Sequence, residues 1–234
     1  MTLNRPSARN SVSAALLEAM NEALARLAAD ESVRVMILTG AGGTFCAGAD
    51  LQEVCSDRAT IETLLTRLAH SMRAIRSLPF ATIAAAGGAA IGGGLGLMCA
   101  ADIAMTHAEA RMGYPPPESG LSPAVLAPYL ASRVGPGRAR SMLFKGGTIS
   151  GRTALEMGLV DELVDEANLQ AAARALAADL AGANREATAR MKRFLNRLDV
   201  MFDERLAKIA TEVSIEAVAS EETQRRLRRR RSGP

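Results

Sequence analysis

The chain has 234 residues, enough for one or two domains, and its 48% apolar and 23% charged content matches a soluble globular protein and excludes disorder of the whole chain. The net charge of +3 comes from a terminal run: Arg225, Arg226 and Arg228 to Arg231 supply six of the 28 basic residues, leaving 22 against 25 acids. With 3% aromatic residues and no Trp, base-stacking platforms have no support, and a nucleic-acid surface would have to lie in that run.

The longest apolar stretch, Ala81 to Met98, is broken by six glycines, which excludes a membrane helix, and no charged-then-apolar start indicates a signal peptide. Three cysteines (Cys46, Cys55, Cys99) without CxxC spacing indicate neither a disulfide framework nor a zinc site. The expectation is a cytoplasmic protein with no metal and no redox cofactor.

Helical spacing of Leu16, Leu17, Met20, Leu24 and Leu27 predicts a helix over 13–29, with Ser11 or Ser13 as its N-cap. Val33 to Leu38 reads as a buried strand, and residues 40–50 as a small-residue loop. A second amphipathic helix covers 60–78 and stops before Pro79. Thr82 to Ala86 is a further buried strand, Leu95 to Ala100 a helix, and Asp102 to Thr106 a short strand. Pro115-Pro116-Pro117 makes 111–123 an irregular loop. Helices are predicted over 124–133, 137–145, 151–157, 167–181 and 184–220, with a short strand near Leu159 to Val164. The alternation implies stacked βα turns with mainly parallel sheets. It divides the chain into a core domain (1–165), a helical C-terminal region (166–222) and a basic tail (223–234), the last read as disordered and solvated.

Two segments carry chemistry: Phe45-Cys46-Ala47-Gly48-Ala49-Asp50 and Gly92-Gly93-Gly94-Leu95-Gly96. Each follows a predicted strand and leads into a helix. Glycines there allow close backbone approach, and free N–H groups at a helix start favour developing negative charge. Two such junctions facing each other would form an oxyanion hole; the bland alternative is a pair of ordinary βα turns. Neither segment fits a dinucleotide fingerprint or a P-loop.

These segments, together with Leu3-Asn4-Arg5-Pro6 and Asn10, Val35 to Gly40, Gly88 to Gly94, Ala101-Asp102, Gly120-Leu121-Ser122-Pro123 and Ala154 to Val160, resemble the crotonase superfamily, the enoyl-CoA hydratase/isomerase family. The resemblance implies an α/β fold of ββα superhelical (spiral) turns with a helical C-terminal trimerisation region, and a homotrimer or homohexamer. It implies an acyl-CoA substrate, with coenzyme A as part of that substrate and no other cofactor. The thioester oxygen would be held by the N–H groups of Ala49 and Gly93, and CoA contacts would fall at Ala8, Arg9, Ala47 and Asp50.

The sequence departs from the family pattern at both glutamates that activate water in a hydratase: their positions hold Gly96 and Pro116. Gly96 is expected to enlarge the pocket. Glu118 is the candidate substitute base, against the alternative of a solvated loop carboxylate. Tyr114 is either a hydrogen-bond donor into the pocket or packing, and His70, His107 and Cys46 read as structural. The family normally has a strand before Leu3, so the first hairpin is expected to be shortened or the start truncated. Three functional readings stay open: a hydratase-type lyase, a non-hydrating isomerase or thioester hydrolase using Glu118, and a silent or RNA-associated scaffold using the arginine run.

Overall fold

The computed structural model describes residues 1–199 and 204–231, beginning with strand β1 (Thr2–Leu3) and a 3-10 turn at Pro6–Ala8. Helix α1 (Ala14–Ala29) starts where the Ser13 hydroxyl accepts the Leu16 N–H, satisfying one donor exposed at the helix start. Its buried face is Leu17, Met20 and Leu24. Strand β2 (Val35–Gly40) follows, then a single helical turn α2 (Leu51–Val54) and the long helix α3 (Arg58–Ser77). Asp57 caps α3 by accepting the Thr60 N–H. The helix buries Ile61, Leu64, Leu65, Leu68, Met72 and Ile75, a stripe repeating every three or four residues.

Strands β3 (Ala81–Ala86) and β4 (Ala90–Ile91) lead into helix α4 (Gly93–Ala100), and β5 (Ile103–Thr106) and β6 (Arg111–Tyr114) follow. Helices α5 (Ala127–Val134) and α6 (Pro136–Lys145) precede β7 (Gly147–Ser150), α7 (Gly151–Glu156) and β8 (Glu162–Leu163). The chain closes with α8 (Leu169–Ala181), α9 (Arg185–Leu198), α10 (Glu204–Ala219) and α11 (Glu221–Arg231).

The main sheet runs β1-β2-β3-β5-β8, every neighbouring pair parallel. Its central strand β3 is buried on both faces, which accounts for its unbroken apolar run. Ala84 and Ala86 face the principal core, while Ile83 and Ala85 pack with Met105, Leu169 and Ala173 under α8. The second sheet runs β4-β6-β7, with β6 and β7 antiparallel. It occupies part of the stretch expected to be an irregular loop. The register brings Gly113 so close to Gly147 that a Cβ on Gly113 would lie 2.0 Å from the Gly147 carbonyl oxygen. That close approach is what a short strand with no apolar alternation requires of its glycine.

The predicted helix over 184–220 is two helices, α9 and α10, and its residues 200–203 lie outside the described residues. The tail expectation is corrected as far as residue 231. Residues 221–231 are helical because Thr223, Gln224 and Leu227 give α11 a buried face. Gln224 Nε2 donates to the carbonyls of Val54 (2.7 Å) and Val218 (2.9 Å), and the Thr223 hydroxyl donates to Gly120 (3.0 Å). Residues 232–234 of that tail are outside the described residues.

Candidate active site

The two glycine-rich junctions touch. Cys46 N–H donates to Ala89 (2.8 Å), Ile91 N–H donates to Cys46 (2.9 Å), and Gly92 N–H donates to Gly113 (2.9 Å). The contact is tight enough that a Cβ on Gly94 would sit 2.5 Å from the Cys46 carbonyl oxygen. Gly92 has φ +53 and ψ −115, a conformation that only glycine adopts at little cost, and it turns the chain from β4 into α4.

The first junction is held from below by the N-terminal segment. Val12 N–H donates to Gly48 (2.8 Å) and Asp50 N–H donates to Val12 (2.8 Å), so Val12 and Ala49 form a parallel bridge. Both bonds use the residues flanking Ala49, which leaves the Ala49 N–H outside the bridge. Gly93 is the first residue of α4 and its N–H precedes the helical ladder. Neither N–H has an acceptor among the described residues.

Asn10, fully buried with φ +55, organises this segment: its Oδ1 accepts the Arg5 N–H (2.9 Å), and its Nδ2 donates to Ala41 (2.8 Å) and Thr44 (2.6 Å). Arg5 in turn pairs with Asp50 (2.9 Å), whose other oxygen caps α2 by accepting the Gln52 N–H (2.9 Å).

Ala49 and Gly93 both line a cavity of about 210 Å³. Arg9 and Ala47 also line it, whereas Ala8 and Asp50 do not; Asp50 faces Arg5 and the start of α2 instead. Most of the remaining lining is apolar, with Leu51, Val54, Leu65, Leu68, Leu126 and Val218, and Leu68 lies next to Gly93, where a Cβ would come within 3.1 Å of Leu68 Cδ2. Ser214 and Val218 of α10 reach the cavity from far beyond the second junction in sequence, and no local sequence signal marks them. Leu65 and Leu68 belong to the apolar stripe of α3, so the sequence shows them as core without showing which cavity they border.

Both positions that hold glutamate in the hydratase pattern are filled. A Cβ on Gly96 would lie 2.6 Å from Met72 Sδ and 3.1 Å from Leu126 Cβ. Gly96 is not a cavity wall, so it does not enlarge the pocket: the fully buried Met72 occupies the space. Pro116 packs against Gly146, where a Cβ would come within 2.5 Å of Pro116 Cα. Glu118 is not brought to the cavity either. It is exposed on the 3-10 turn Pro117–Ser119, and its carbonyl accepts from Arg226 Nη1 (2.7 Å). A loop bulge is absent there because the three prolines lead directly into that turn. No carboxylate, histidine, cysteine or lysine lines the cavity among the described residues.

Tyr114, at the end of β6, does line it. Its phenol has no hydrogen-bond partner among the described residues, and burial pushes its pKa up, so it is a donor at neutral pH. Burial raises the Cys46 thiol to about 11, which leaves it protonated and unsuited to nucleophilic attack. His107 Nε2 accepts the Gly88 N–H (3.1 Å), and His70 is exposed on α3; neither is a cavity wall. Asp102 is structural: it accepts from Thr82 N–H (2.8 Å), Thr82 Oγ1 (2.8 Å) and Lys192 Nζ (2.6 Å), tying α9 to the sheet.

Stacked strand–helix turns whose two glycine junctions converge on one apolar cavity define the crotonase fold. The family model described as enoyl-CoA hydratase/isomerase matches residues 1–229, and the chain belongs to that family. A protein of Mycobacterium leprae named "Probable enoyl-CoA hydratase" is 35% identical over 206 residues, covering 83% of this chain and 70% of that protein. The bovine "Enoyl-CoA hydratase domain-containing protein 2, mitochondrial" is 39% identical over 165 residues; the match covers 69% of this chain but only 56% of that relative's length. The crystal structure of an enoyl-CoA hydratase/isomerase from Xanthobacter autotrophicus Py2 superimposes with a TM-score of 0.89 at 27% identity, covering 99% of this chain and 88% of that one. A second, from Mycobacterium paratuberculosis, gives 0.87 at 25% identity, covering 97% and 92%. No helix among the described residues is long and apolar enough to cross a membrane.

Proposed function

We propose that this chain binds an acyl-CoA thioester in the cavity and stabilises the enolate of that thioester through the N–H groups of Ala49 and Gly93. The observation that carries the reading is that Ala49 and Gly93, whose N–H groups have no acceptor among the described residues, both line one mainly apolar cavity. Such donors act where water is excluded, and removing one from an oxyanion hole costs roughly 10²–10³ in rate. Arg9, the one charged residue on the walls, suits the anionic carrier part of the substrate. Simple hydration is disfavoured, because each missing acid–base group forfeits roughly 10²–10⁴-fold. Glu118 as a single base is disfavoured by its place outside the cavity.

The experiment is calorimetric titration with a thioether analogue of a short-chain acyl-CoA, whose sulfur link cannot be cleaved as a thioester. Saturable binding that survives Glu118→Gln and weakens when Leu68 is enlarged to Trp supports the reading. No binding by the folded protein overturns it. The exposed apolar side chains Phe144, Leu206, Ile209 and Val213 support self-association into a trimer, which light scattering tests.

A further inference from the structure

A surface helix normally buries its apolar stripe and turns its charges to water. Helix α9 does the reverse. It is tied to the body by polar groups: Lys192 Nζ donates to Asp102 (2.6 Å) and to the Phe80 carbonyl (3.0 Å), and Asn196 exchanges hydrogen bonds with Arg76 (3.0 and 3.1 Å). Its buried residues are Ala189 and Lys192. Met191, Phe194, Leu195 and Leu198, at helical spacing, form one outward stripe, and they are 49–61% exposed. None of the four borders the apolar groove that contains Phe144, Leu206, Ile209 and Val213.

The charges beside the stripe are mostly of one sign. Residues 185–198 hold five basic side chains, Arg185, Arg190, Lys192, Arg193 and Arg197, against one acid, Glu186. Arg190 and Arg197 are seven residues apart, so they share one flank of the stripe. Glu186 pairs with Arg190 (2.6 Å), which leaves Arg193 and Arg197 with no ion pair among the described residues. Arg34, just before β2, joins Arg185 and Arg193 around an open hollow, where Glu31 and Glu186 are the acids. We propose that α9 docks on an anionic membrane surface, with the apolar stripe entering the boundary between headgroups and acyl chains and the arginines held by lipid phosphates. A helix with aromatic and aliphatic residues on one face and arginines beside them has the chemistry of such a surface. A second copy of this chain suits the stripe less well. A two-fold contact meets the same patch, whose single acid is already paired, so the arginines would go unmatched. Four half-exposed side chains also fall well short of the ~800 Å² per partner that a stable interface buries. The proposal is independent of the thioester cavity, which α9 does not line.

The test sediments the full chain with vesicles of phosphatidylcholine alone, or of phosphatidylcholine and phosphatidylserine in equal amounts. The chain should bind the mixed vesicles and not the neutral ones, and raised salt should weaken binding. Phe194→Ser with Leu198→Ser should lower binding ~10-fold or more. Arg193→Glu with Arg197→Glu should do the same, by ~10-fold or more. All four side chains are exposed, so helicity by circular dichroism should be unchanged. Leu206→Ser with Ile209→Ser, in the groove, should bind as the native chain does. Three results overturn the proposal. The first is no sedimentation of the native chain with mixed vesicles; a fall in mass by light scattering in the Phe194 and Leu198 double variant would then make the stripe a contact between copies. The second is binding that survives both α9 double variants; its loss in Arg225→Glu with Arg229→Glu would then place the lipid contact on α11. The third is equal binding to both kinds of vesicle, which would leave the arginines no part in it.

Discussion

The two glycine junctions and the surroundings of Gly96 and Pro116 are built in opposite ways in this sequence. Around the two glycine junctions, three devices fix the backbone: the positive-φ turn at Gly92, the close contact of Gly94 with Cys46, and the Val12–Ala49 bridge. At Gly96 and Pro116, where the resemblance leads one to expect glutamates, the space is taken by Met72, Leu126 and a proline pair packed on Gly146. The difference is instructive. A carboxylate can be exchanged for packing at two or three positions, whereas the donors depend on backbone geometry spread over four segments of the chain.

Five substitutions break or sharpen that contrast. The largest effect should come from Gly93→Pro. Proline is tolerated at the first residue of a helix, so it deletes the N–H and keeps α4. Turnover of whichever thioester the protein processes best should fall by ~10²–10³-fold, with secondary structure intact by circular dichroism. Unchanged turnover would place the second donor elsewhere. Next comes Asn10→Ala, which strands the half-buried Ala41 and Thr44 carbonyls and puts alanine at φ +55. Urea unfolding should show a loss of about 2–4 kcal/mol. A loss under 1 kcal/mol would mean that Asn10 does not hold the first junction.

Away from the junctions, Gly96→Glu should destabilise by about 1–3 kcal/mol, the range for overpacking, because of the Met72 contact. Met72→Ala in the same chain should recover part of that loss, so the two changes should be non-additive in a double-mutant cycle. Additive losses would show that Met72 is not what fills the position. Glu118→Gln should change stability by less than about 0.5 kcal/mol and leave turnover as in the native chain, as expected for an exposed side chain. A drop of tenfold or more would return Glu118 to the site.

The thiol of Cys46 offers a pH-dependent check on the packing between the junctions. With its pKa pushed up to about 11 by burial, the thiolate is scarce at neutral pH. Labelling of Cys46 by iodoacetamide, located by peptide mass, should be slow at pH 7 and rise with pH towards that value. Rapid labelling at pH 7 would mean that the two junctions are not in contact.

The two junctions were legible as strand-to-helix turns because glycines at such boundaries have a local physical meaning, and the segments start within 50 residues of each other. The main helices were legible for the same reason: α1 and α3 carry apolar stripes and side-chain caps. Strands β4, β6 and β7 were not, since each is two to four residues long and exists only through pairing with distant partners. The arginine run hid a helix, because its three buried residues are spread among charged ones and meet Val54 and Gly120 only in the fold. The fate of Gly96 needed the structure too. A missing side chain reads as free space until a neighbour such as Met72 is seen to occupy it.

The central claim is that the cavity stabilises a thioester enolate without a carboxylate of its own. It is tested most directly by the hydration rate of crotonyl-CoA, followed through the loss of absorbance of its conjugated thioester. With both acid–base groups missing, hydration should be at least ~10⁴-fold below that of an enzyme with both groups in place. A turnover number near ~10³ s⁻¹, at the top of the ordinary enzyme range, would contradict it and require a carboxylate at the reacting atoms.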